Sequence, residues 1–396
     1  MCPDLAKVSP DAVAEMQAAL RNAFRREGMP TSVSLDVTYR CELDCQHCYL
    51  DDRSHYPELN PTELRNLLEQ LHACGVLDLR WSGGEVFLRP DFEDAIDLAA
   101  RLGFQNRIKT HAGNITPERA TFLAARRVRQ VDVSIYSLRP DVHDAFTRRP
   151  GSLERTQAGI GCLRAAGVAV RVSVSVQEGT VDEIPALHAW AVGLGCTIKF
   201  STVLFRDHNA SERNDHLDLS LQARQAAEAL IWQVSPSVVP SPIADRPGSE
   251  PCGAGRTLAY IAPDGGVWPC VMFPLPLGNL REKPFRDIWL QSSARADLAS
   301  WTNDDRAGCQ TCGGSGACFY CPGEAFKNTG DFRKAPPSFH ARTRARMAGL
   351  EAAGADAFTP GQWASVPEGG ASPPRPGRFV FPIARKQKGD GRRVLR

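Results

Sequence analysis

The segment Tyr39–Tyr49, with the sequence YRCELDCQHCY, decides how this chain is interpreted. It holds Cys41, Cys45 and Cys48 at the spacing C-x3-C-x2-C. Thiolates are soft ligands that suit iron–sulfur clusters or zinc. A closed structural site needs four ligands, whereas three thiolates on a four-iron cluster leave one iron open to another ligand. The loop therefore predicts a catalytic iron–sulfur site, and the alternative is a zinc site completed by His47 or a distant residue.

Apolar runs of strand length alternate with helical patterns around this loop. Such alternation implies parallel strands joined by right-handed crossovers, and too few units are present for a closed eight-stranded barrel. The predicted fold class is α/β, an open partial (β/α)6 barrel followed by a small cysteine-rich domain, with functional groups at the carboxyl ends of the strands. The predicted strands are Ser32–Val37, Leu77–Trp81, Gln105–Thr110, Gln130–Ile135, Ala169–Val176 and Thr197–Val203. The predicted helices are Pro61–Cys74, Pro90–Leu102, Pro117–Arg126, Ser152–Ala166 and Val181–Leu194.

A glycine pair closes the second predicted strand, in the segment Trp81-Ser82-Gly83-Gly84-Glu85. Because glycine has no Cβ, it lets a ligand approach the backbone closely. Exposed backbone groups and the Glu85 carboxylate would suit an amino-acid ligand. A strand-to-helix turn without a ligand has the same pattern, so the motif gains weight only from its place one βα unit after the cysteine loop.

These two motifs together resemble the radical S-adenosylmethionine (radical SAM) superfamily. The resemblance implies that Cys41, Cys45 and Cys48 hold a catalytic [4Fe–4S] cluster whose open iron binds S-adenosylmethionine. His47 fills a position where an aromatic or similar residue is typical. The implied chemistry is reductive cleavage of the cosubstrate to a 5′-deoxyadenosyl radical, which abstracts hydrogen from a substrate.

The same resemblance implies the cosubstrate contacts. Gly83, Gly84 and Glu85 match the motif that binds the methionine amine, although Val86 stands where proline is usual. Ser134, on the fourth predicted strand, lies where related enzymes bind the ribose.

Polar residues near the ends of the third and fourth predicted strands are further candidates. Lys109, His111, Asn114 and Tyr136 belong to this group. The alternative for the first three is that they are strand-end residues without a ligand.

Six more cysteines lie between residues 252 and 321, spaced C-x17-C and then C-x2-C-x5-C-x2-C. With Gly265 five residues before Cys270, this pattern resembles the SPASM extension of radical SAM enzymes. The resemblance implies one or two auxiliary iron–sulfur clusters. The implied ligands are Cys252, Cys270 and Cys321 for cluster I, and Cys309, Cys312 and Cys318 for cluster II.

The second cluster pattern departs from the family in two places. Its last spacing is two residues where three is commoner, and no cysteine follows Cys321. Histidine can replace thiolate on a cluster iron, and we therefore predict His340 as the closing ligand. The alternatives are a surface histidine with a three-thiolate site, or one missing cluster. A zinc ribbon is a further alternative, with the ligands Cys252, Cys270, Cys309 and Cys312.

Composition and charge narrow the functional classes. The chain has 396 residues, 42% hydrophobic and 23% charged, with a formal net charge of +2. These values suit a globular protein and give no argument for a nucleic-acid partner. No long apolar run predicts a membrane span, and the first residues lack an export signal. Thirteen cysteines in such a chain favour metal binding and a cytoplasmic location over disulfides.

The predicted organisation has five parts. Residues 1–30 form a helical segment, 31–205 the partial barrel, 206–251 a connector, 252–345 the SPASM domain and 346–396 a basic, Pro/Gly-rich tail. The tail is predicted to be disordered, and a flexible arm that touches an acidic partner is the alternative.

The resemblance also implies a substrate class. SPASM enzymes mostly act on peptides or proteins, so oxidative maturation of a ribosomally made peptide, by crosslink or thioether formation, is the leading hypothesis. An external flavodoxin or ferredoxin would supply the electron. The segment before the first strand is too short for a fused leader-binding domain, so a separate leader-binding protein is expected.

Three other functions are kept as alternatives. Tailoring of a haem or quinone cofactor would fit the Cys-Pro-Gly motif at Cys321. Anaerobic sulfatase maturation is disfavoured, because Val271 stands where those enzymes place aspartate. A non-catalytic iron–sulfur or zinc protein is the alternative from another class.

Overall fold

The computed structural model describes residues 28–50, 57–207, 213–236, 248–306, 309, 312–314, 317–355 and 366–367. The predicted helical segment before residue 28 and residues 356–365 and 368–396 of the predicted basic tail lie outside the described residues. The first residues of that predicted tail continue a helix that ends at Ala352. The predicted domain boundaries stay predictions.

One nine-stranded sheet organises the described chain, in the order β6-β5-β4-β3-β2-β1-β7-β8-β9. Strands β1 to β6 pair in parallel, β7 is parallel to β1, and β8 and β9 continue antiparallel. The strands are β1 Ser32–Thr38, β2 Asp78–Gly83, β3 Gln105–Thr110, β4 Gln130–Ile135, β5 Val170–Ser175, β6 Thr197–Ser201, β7 Leu258–Ile261, β8 Gly266–Trp268 and β9 Gly278–Asn279.

Helices connect the parallel strands, as the sequence predicts. All five predicted helices form, with ends shifted by up to a few residues, and the α/β fold is confirmed. The helices are α1 Pro61–Ala73, α2 Phe92–Arg101, α3 Pro117–Ala125, α4 Pro140–Thr147, α5 Ser152–Ala165, α6 Ile184–Gly193, α7 Leu221–Val234, α8 Phe285–Gln291, α9 Ser293–Ser300, α10 Pro322–Thr329 and α11 Pro337–Ala352.

The two faces of the parallel sheet differ in polarity. In β4, Val131, Val133 and Ile135 are buried, whereas Asp132 and Ser134 alternate with them on the other face. This period of two sends the apolar side chains towards the helices and the polar ones towards the barrel interior. The interior polar face is what shapes the site.

The sheet continues into the cysteine-rich segment. β7 pairs with β1, where Val33 lies opposite Ala259 and Leu35 opposite Ile261. The sequence prediction missed β7, β8 and β9, because these strands are too short to show a period. Their pairing fixes the cysteine-rich segment beside the strand that leads into the first cysteine loop.

Asp144 joins two helices that support the cysteine loop. Its carboxylate accepts hydrogen bonds from the backbone N–H groups of Gly151 at 2.5 Å and Leu153 at 2.9 Å, and from the Ser152 hydroxyl at 2.8 Å. It therefore satisfies backbone N–H groups at the start of α5.

Replacing Asp144 with alanine should destabilise the fold by about 1–2 kcal/mol, because the α5 N–H groups lose their acceptor. Urea unfolding of the reconstituted protein measures this change. Asp182→Ala is the matched control, since Asp182 is exposed. Equal unfolding midpoints for the two variants would contradict the capping role.

Candidate active site

The cysteine loop leaves the carboxyl end of β1 and is held against α4. The backbone N–H of Asp44 donates to the Thr147 carbonyl, and that of Gln46 donates to the Phe146 carbonyl, both at 3.0 Å. Within the loop, the Cys48 N–H donates to the Cys45 carbonyl at 3.1 Å. These bonds fix the loop backbone without using the thiols.

All three thiols border one cavity. This cavity has a volume of about 380 Å³ and is lined by Cys41, Cys45 and Cys48 together with residues of β2 to β6. The Tyr136 hydroxyl lies 3.9 Å from the Cys45 Sγ atom. Three soft donors at the mouth of a cavity fit a cluster that keeps one iron open to a ligand.

The structure gives no support to a zinc site at these cysteines. The described donor atoms that converge to within 4.8 Å of one another belong to Cys41, Glu42 and His111, not to the three thiols. His47 packs its ring against Tyr136 and Phe146, each with a centroid separation of 5.1 Å. Burial, together with the charge of Lys109, lowers the pKa of His47 to about 3. His47 is therefore a neutral ring that packs against two aromatic neighbours.

The glycine pair has a packing role that the sequence alone does not show. A Cβ on Gly83 would lie 2.1 Å from the Thr38 carbonyl oxygen, and one on Gly84 would lie 2.2 Å from that of Arg40. Gly83 also has a φ of +125°, which disfavours other residues. The glycines therefore let this turn pack on the cysteine loop, and the Gly84 N–H donates to the Thr38 carbonyl at 2.8 Å.

Glu85 lies behind the cavity rather than in it. Its carboxylate is fully buried and accepts hydrogen bonds from the Thr110 hydroxyl at 2.7 and 2.8 Å and from the His111 N–H at 3.2 Å. The His111 Nε2 atom lies 3.1 Å from Glu85 and 3.2 Å from Glu42. In this structure the Glu85 side chain ties β3 to the turn, and Gly83 and Gly84 are the residues of the motif that line the cavity. The contact of Glu85 with an amino-acid ligand stays a prediction.

Most of the other predicted cosubstrate residues do reach the cavity. Ser134, Tyr136, Lys109 and His111 line it. Asn114 instead donates from Nδ2 to the Glu42 carboxylate at 2.5 Å.

The later cysteines come together in two groups. Cys252 and Cys270 pack against the same apolar cluster. Burial, then the charge of Glu324 and of the nearby Cys270 and Cys252, raises the pKa of Cys321 to about 12. Burial and the nearby Cys309 and Cys312 raise the pKa of Cys318 to about 11. The assignment of these cysteines to two clusters stays a prediction.

Comparison with known proteins now identifies the chain. Residues 35–190 match the model of the radical SAM superfamily, and residues 252–313 match that of the SPASM iron–sulfur cluster-binding domain. The chain belongs to the radical SAM superfamily. It is an enzyme of the SPASM group, and [4Fe–4S] clusters and S-adenosylmethionine are its cofactors.

Curated relatives cover most of the chain. The AdoMet-dependent heme synthase of Methanosarcina barkeri is 26% identical over 78% of this chain and 95% of its own length. The PqqA peptide cyclase of Streptomyces rochei is 28% identical over 78% of this chain and 89% of its own length. A mycofactocin maturase of Mycolicibacterium smegmatis is 27% identical over 73% and 77% of the two chains.

Solved structures share the fold. The AdoMet-bound anSMEcpe structure superposes with a TM-score of 0.66 at 14% identity and covers 81% of this chain and 96% of its own. Streptococcus suis SuiB bound to its precursor peptide SuiA gives a TM-score of 0.60 at 15% identity, over 81% of this chain and 79% of its own.

Among the described residues, no helix combines the length and apolar character needed to cross a bilayer.

A buried tyrosine–carboxylate network, which sequence reasoning missed, links the radical SAM cysteine loop to the SPASM segment. Asp36 of β1 accepts hydrogen bonds from the Tyr49 hydroxyl at 2.8 Å and the Tyr260 hydroxyl at 2.9 Å, and the Tyr39 and Tyr260 hydroxyls are 2.7 Å apart. Burial raises the pKa of Asp36 to about 6, against the lowering effect of the two tyrosine bonds. The sequence signal that could have indicated this network is the carboxylate of Asp36 within an otherwise apolar stretch of β1.

His340 lies on α11 and is half-buried. Burial lowers its pKa. On the same helix, Thr343 hydrogen-bonds the Cys318 thiol. Thr343 therefore contacts the second cysteine group of the SPASM domain, and His340, three residues before it, stays a predicted ligand.

Gly84→Ala should destabilise the radical SAM domain by about 1–3 kcal/mol and reduce the iron that the loop retains, because the new Cβ collides with the loop backbone. Thermal unfolding and iron content after gel filtration measure both effects. Gly161→Ala is the control, since Gly161 lies on α5 with open space at the Cβ position. If Gly84→Ala matched Gly161→Ala in both measurements, the close packing of turn and loop would be wrong.

Proposed function

We propose that this radical SAM/SPASM enzyme oxidatively matures a ribosomally made peptide by forming a crosslink or a thioether. The observation that carries the proposal is the extent of the main cavity. It begins at Cys41, Cys45 and Cys48 and reaches Met272, two residues after Cys270. A substrate in this cavity would lie between the radical site and an auxiliary cluster, the arrangement that an oxidation requires.

Different residues of the chain have different roles in the proposed reaction. Cys41, Cys45 and Cys48 would hold the catalytic cluster, which when reduced supplies the electron that cleaves S-adenosylmethionine. The backbone of Gly83 and Gly84 borders the cavity and would receive the methionine end of the cosubstrate. The same cavity wall carries Ser134, which would contact the ribose. The cavity walls exclude bulk water from the reacting carbon.

The two later cysteine groups would hold auxiliary clusters that take up an electron from the substrate. Cys252, Cys270 and Cys321 form the first site, and Cys309, Cys312 and Cys318 form the second. Each group offers three thiols, so a fourth ligand comes from elsewhere. His340 remains a predicted ligand of the second site.

Relatives support a peptide substrate. The PqqA peptide cyclase and the mycofactocin maturases cover most of this chain, and SuiB was solved with its precursor peptide. A flavodoxin or ferredoxin as electron donor, a separate leader-binding protein and a cytoplasmic location complete the proposal.

Haem tailoring is the second candidate, favoured by the 26% identity to the heme synthase of Methanosarcina barkeri. The Cys-Pro-Gly motif at Cys321 agrees with it. Sulfatase maturation has weaker support, because Val271 stands where sulfatase-maturing enzymes place an aspartate. The similarity to the anSMEcpe structure, at 14% identity, supports only a shared fold.

The test uses anaerobically reconstituted enzyme with S-adenosylmethionine, a reduced flavodoxin and short peptides encoded beside the gene. Mass spectrometry should detect a peptide that has lost a pair of hydrogens, together with 5′-deoxyadenosine. A four-propionate porphyrin is the parallel substrate. Oxidation of the porphyrin with no change in any peptide would replace the peptide proposal with the haem alternative.

A further inference from the structure

The interior face of the partial barrel carries more cations than anions. Five cationic side chains alternate along β2, β3, β5 and β6 with the buried apolar residues. They are Arg80, Arg107, Lys109, Arg171 and Lys199, and the carboxylates on the same face are Asp36, Asp78 and Asp132. The interior face of the barrel, which forms the wall of the main cavity, therefore carries a net positive charge.

Only two of these cations have a carboxylate partner in the described part of the chain. Arg171 pairs with Asp132 at 2.6 Å, and Arg107 lies 3.7 Å from Asp78. Lys199 makes no ion pair with a described carboxylate, yet it lines the main cavity together with Arg171. An unpartnered ammonium group that faces a cavity is suited to bind an anion.

Strand register places Lys199 on the side of the cavity away from the cysteine loop. Lys199 lies opposite Ser173 of β5, and Ser173 lies opposite Ser134 of β4. Since neighbouring strands are about 4.8 Å apart, Lys199 is level with Ser134 and about 10 Å from it along the sheet. The loop with Cys41 follows β1, three strands beyond Ser134.

Lys109 occupies the opposite side of this cavity. Its charge lowers the pKa of both Asp36 on β1 and His47 in the cysteine loop. Lys109 on β3 therefore acts on the cysteine-loop side of the cavity, whereas Lys199 on β6 lies three strands further along the sheet.

A second cavity meets the first at Lys199. It has a volume of about 350 Å³ and is bordered by β6, α7 and α11, and both cavities are lined by Lys199, Ser201 and Phe205. Its own cations are already paired: Arg342 lies 3.0 Å from Asp218. Lys199 thus has no ion-pair partner among the described carboxylates at the junction of the two cavities.

Neighbouring charges act on Lys199. Burial and then the charge of Arg171 lower its pKa, whereas the charge of Asp132 raises it. A carboxylate that enters the junction would add to the effect of Asp132 and offset the repulsion between the cations.

We propose that Lys199, with Arg171 beside it, binds a carboxylate of the substrate and so selects acidic substrates. For a peptide, the carboxylate is an Asp or Glu side chain or the C-terminus. This inference rests on the proposed function for its peptide source, whereas the anion chemistry of the junction does not depend on it. Lys199 is a specificity residue and takes no part in cleavage of the cosubstrate.

The experiment uses the reconstituted holoenzyme with S-adenosylmethionine and compares the wild type with Lys199→Gln, Lys199→Arg and Lys283→Gln. Lys283 is an exposed control outside the cavities. The probes are synthetic peptide pools read out by affinity selection and mass spectrometry. One pool is amidated and contains Asp and Glu, the second replaces them with Asn and Gln, and the third has free C-termini. A four-propionate porphyrin is the fourth probe.

The wild type and Lys283→Gln should enrich carboxylate-bearing probes. Lys199→Gln should bind them about 10- to 100-fold more weakly, the loss expected for one charged hydrogen bond, and Lys199→Arg should retain most of the binding. Enrichment from the first pool over the second assigns a side-chain carboxylate, and enrichment confined to the third assigns the C-terminus. 5′-Deoxyadenosine formation without substrate should stay within about twofold in Lys199→Gln, since Lys199 lies on β6, away from the cysteine loop that follows β1.

Three results would overturn the inference: no carboxylate preference in the wild type, an equal preference in Lys199→Gln, or loss of substrate-free cosubstrate cleavage in that variant. Binding of the porphyrin alone, weakened by Lys199→Gln, would uphold the anion site and refute the peptide proposal. The failures of the two proposals are therefore distinguishable.

Discussion

Replacing Cys45 with alanine is expected to abolish the formation of 5′-deoxyadenosine. The Cys45 thiol is one of three that border the main cavity, and no fourth cysteine lies within the loop to replace it. Two thiolates do not hold a four-iron cluster stably, so iron content should fall by about four atoms per chain. Chromatography with mass detection measures 5′-deoxyadenosine, and a colorimetric assay measures iron.

Cys162→Ala is the matched control for this variant. Cys162 lies on α5, is half-buried and belongs to none of the three cysteine groups. It should keep the wild-type iron content and activity. Continued cleavage of S-adenosylmethionine by Cys45→Ala would rule out the assignment of the catalytic cluster to this loop.

Replacing Cys270 with alanine is expected to separate cosubstrate cleavage from substrate oxidation. Cys270 is half-buried and lies near Cys252 and Cys321, so its loss should empty the first auxiliary site and remove about four iron atoms. The cysteine loop is untouched, and 5′-deoxyadenosine should still form. Peptide oxidation should stop, because the substrate radical has no site to receive its electron.

The readout for Cys270→Ala is the ratio of oxidised peptide to 5′-deoxyadenosine. The wild type should give a ratio near unity, and the variant a ratio near zero. Cys74→Ala serves as the buried-cysteine control, since Cys74 lies at the end of α1 in the main core. A normal ratio in Cys270→Ala would mean that this cysteine group does not act in the oxidation.

The sequence predicted the strands and helices of the barrel because their apolar residues recur with a clear period. Leu64, Leu67, Leu68 and Leu71 are buried along one face of α1, and a capping box formed by Asn60 and Glu63 begins that helix. The strands β7, β8 and β9 escaped prediction because β7 depends on pairing with β1, and β8 and β9 continue the sheet from β7. Such long-range pairing leaves no mark in a run of two to four residues.

Cysteine ligands could be found from the sequence because the residue type and the spacing together carry the chemistry. The purpose of Gly83 and Gly84 could not, since only the folded chain shows that the Thr38 and Arg40 carbonyls fill the space beside them. The same limit applies to Asp36, whose partner Tyr260 stands 224 residues away in the chain. Thr343 was missed because a threonine carries no metal-site signal of its own.

The central claim is that Cys41, Cys45 and Cys48 hold a cluster that cleaves S-adenosylmethionine. The most direct measurement is 5′-deoxyadenosine released by the anaerobically reconstituted wild-type chain with S-adenosylmethionine and dithionite. This account predicts at least one 5′-deoxyadenosine per chain, formed together with methionine. A chain that carries its full complement of iron and sulfide yet releases none under this reductant would contradict it.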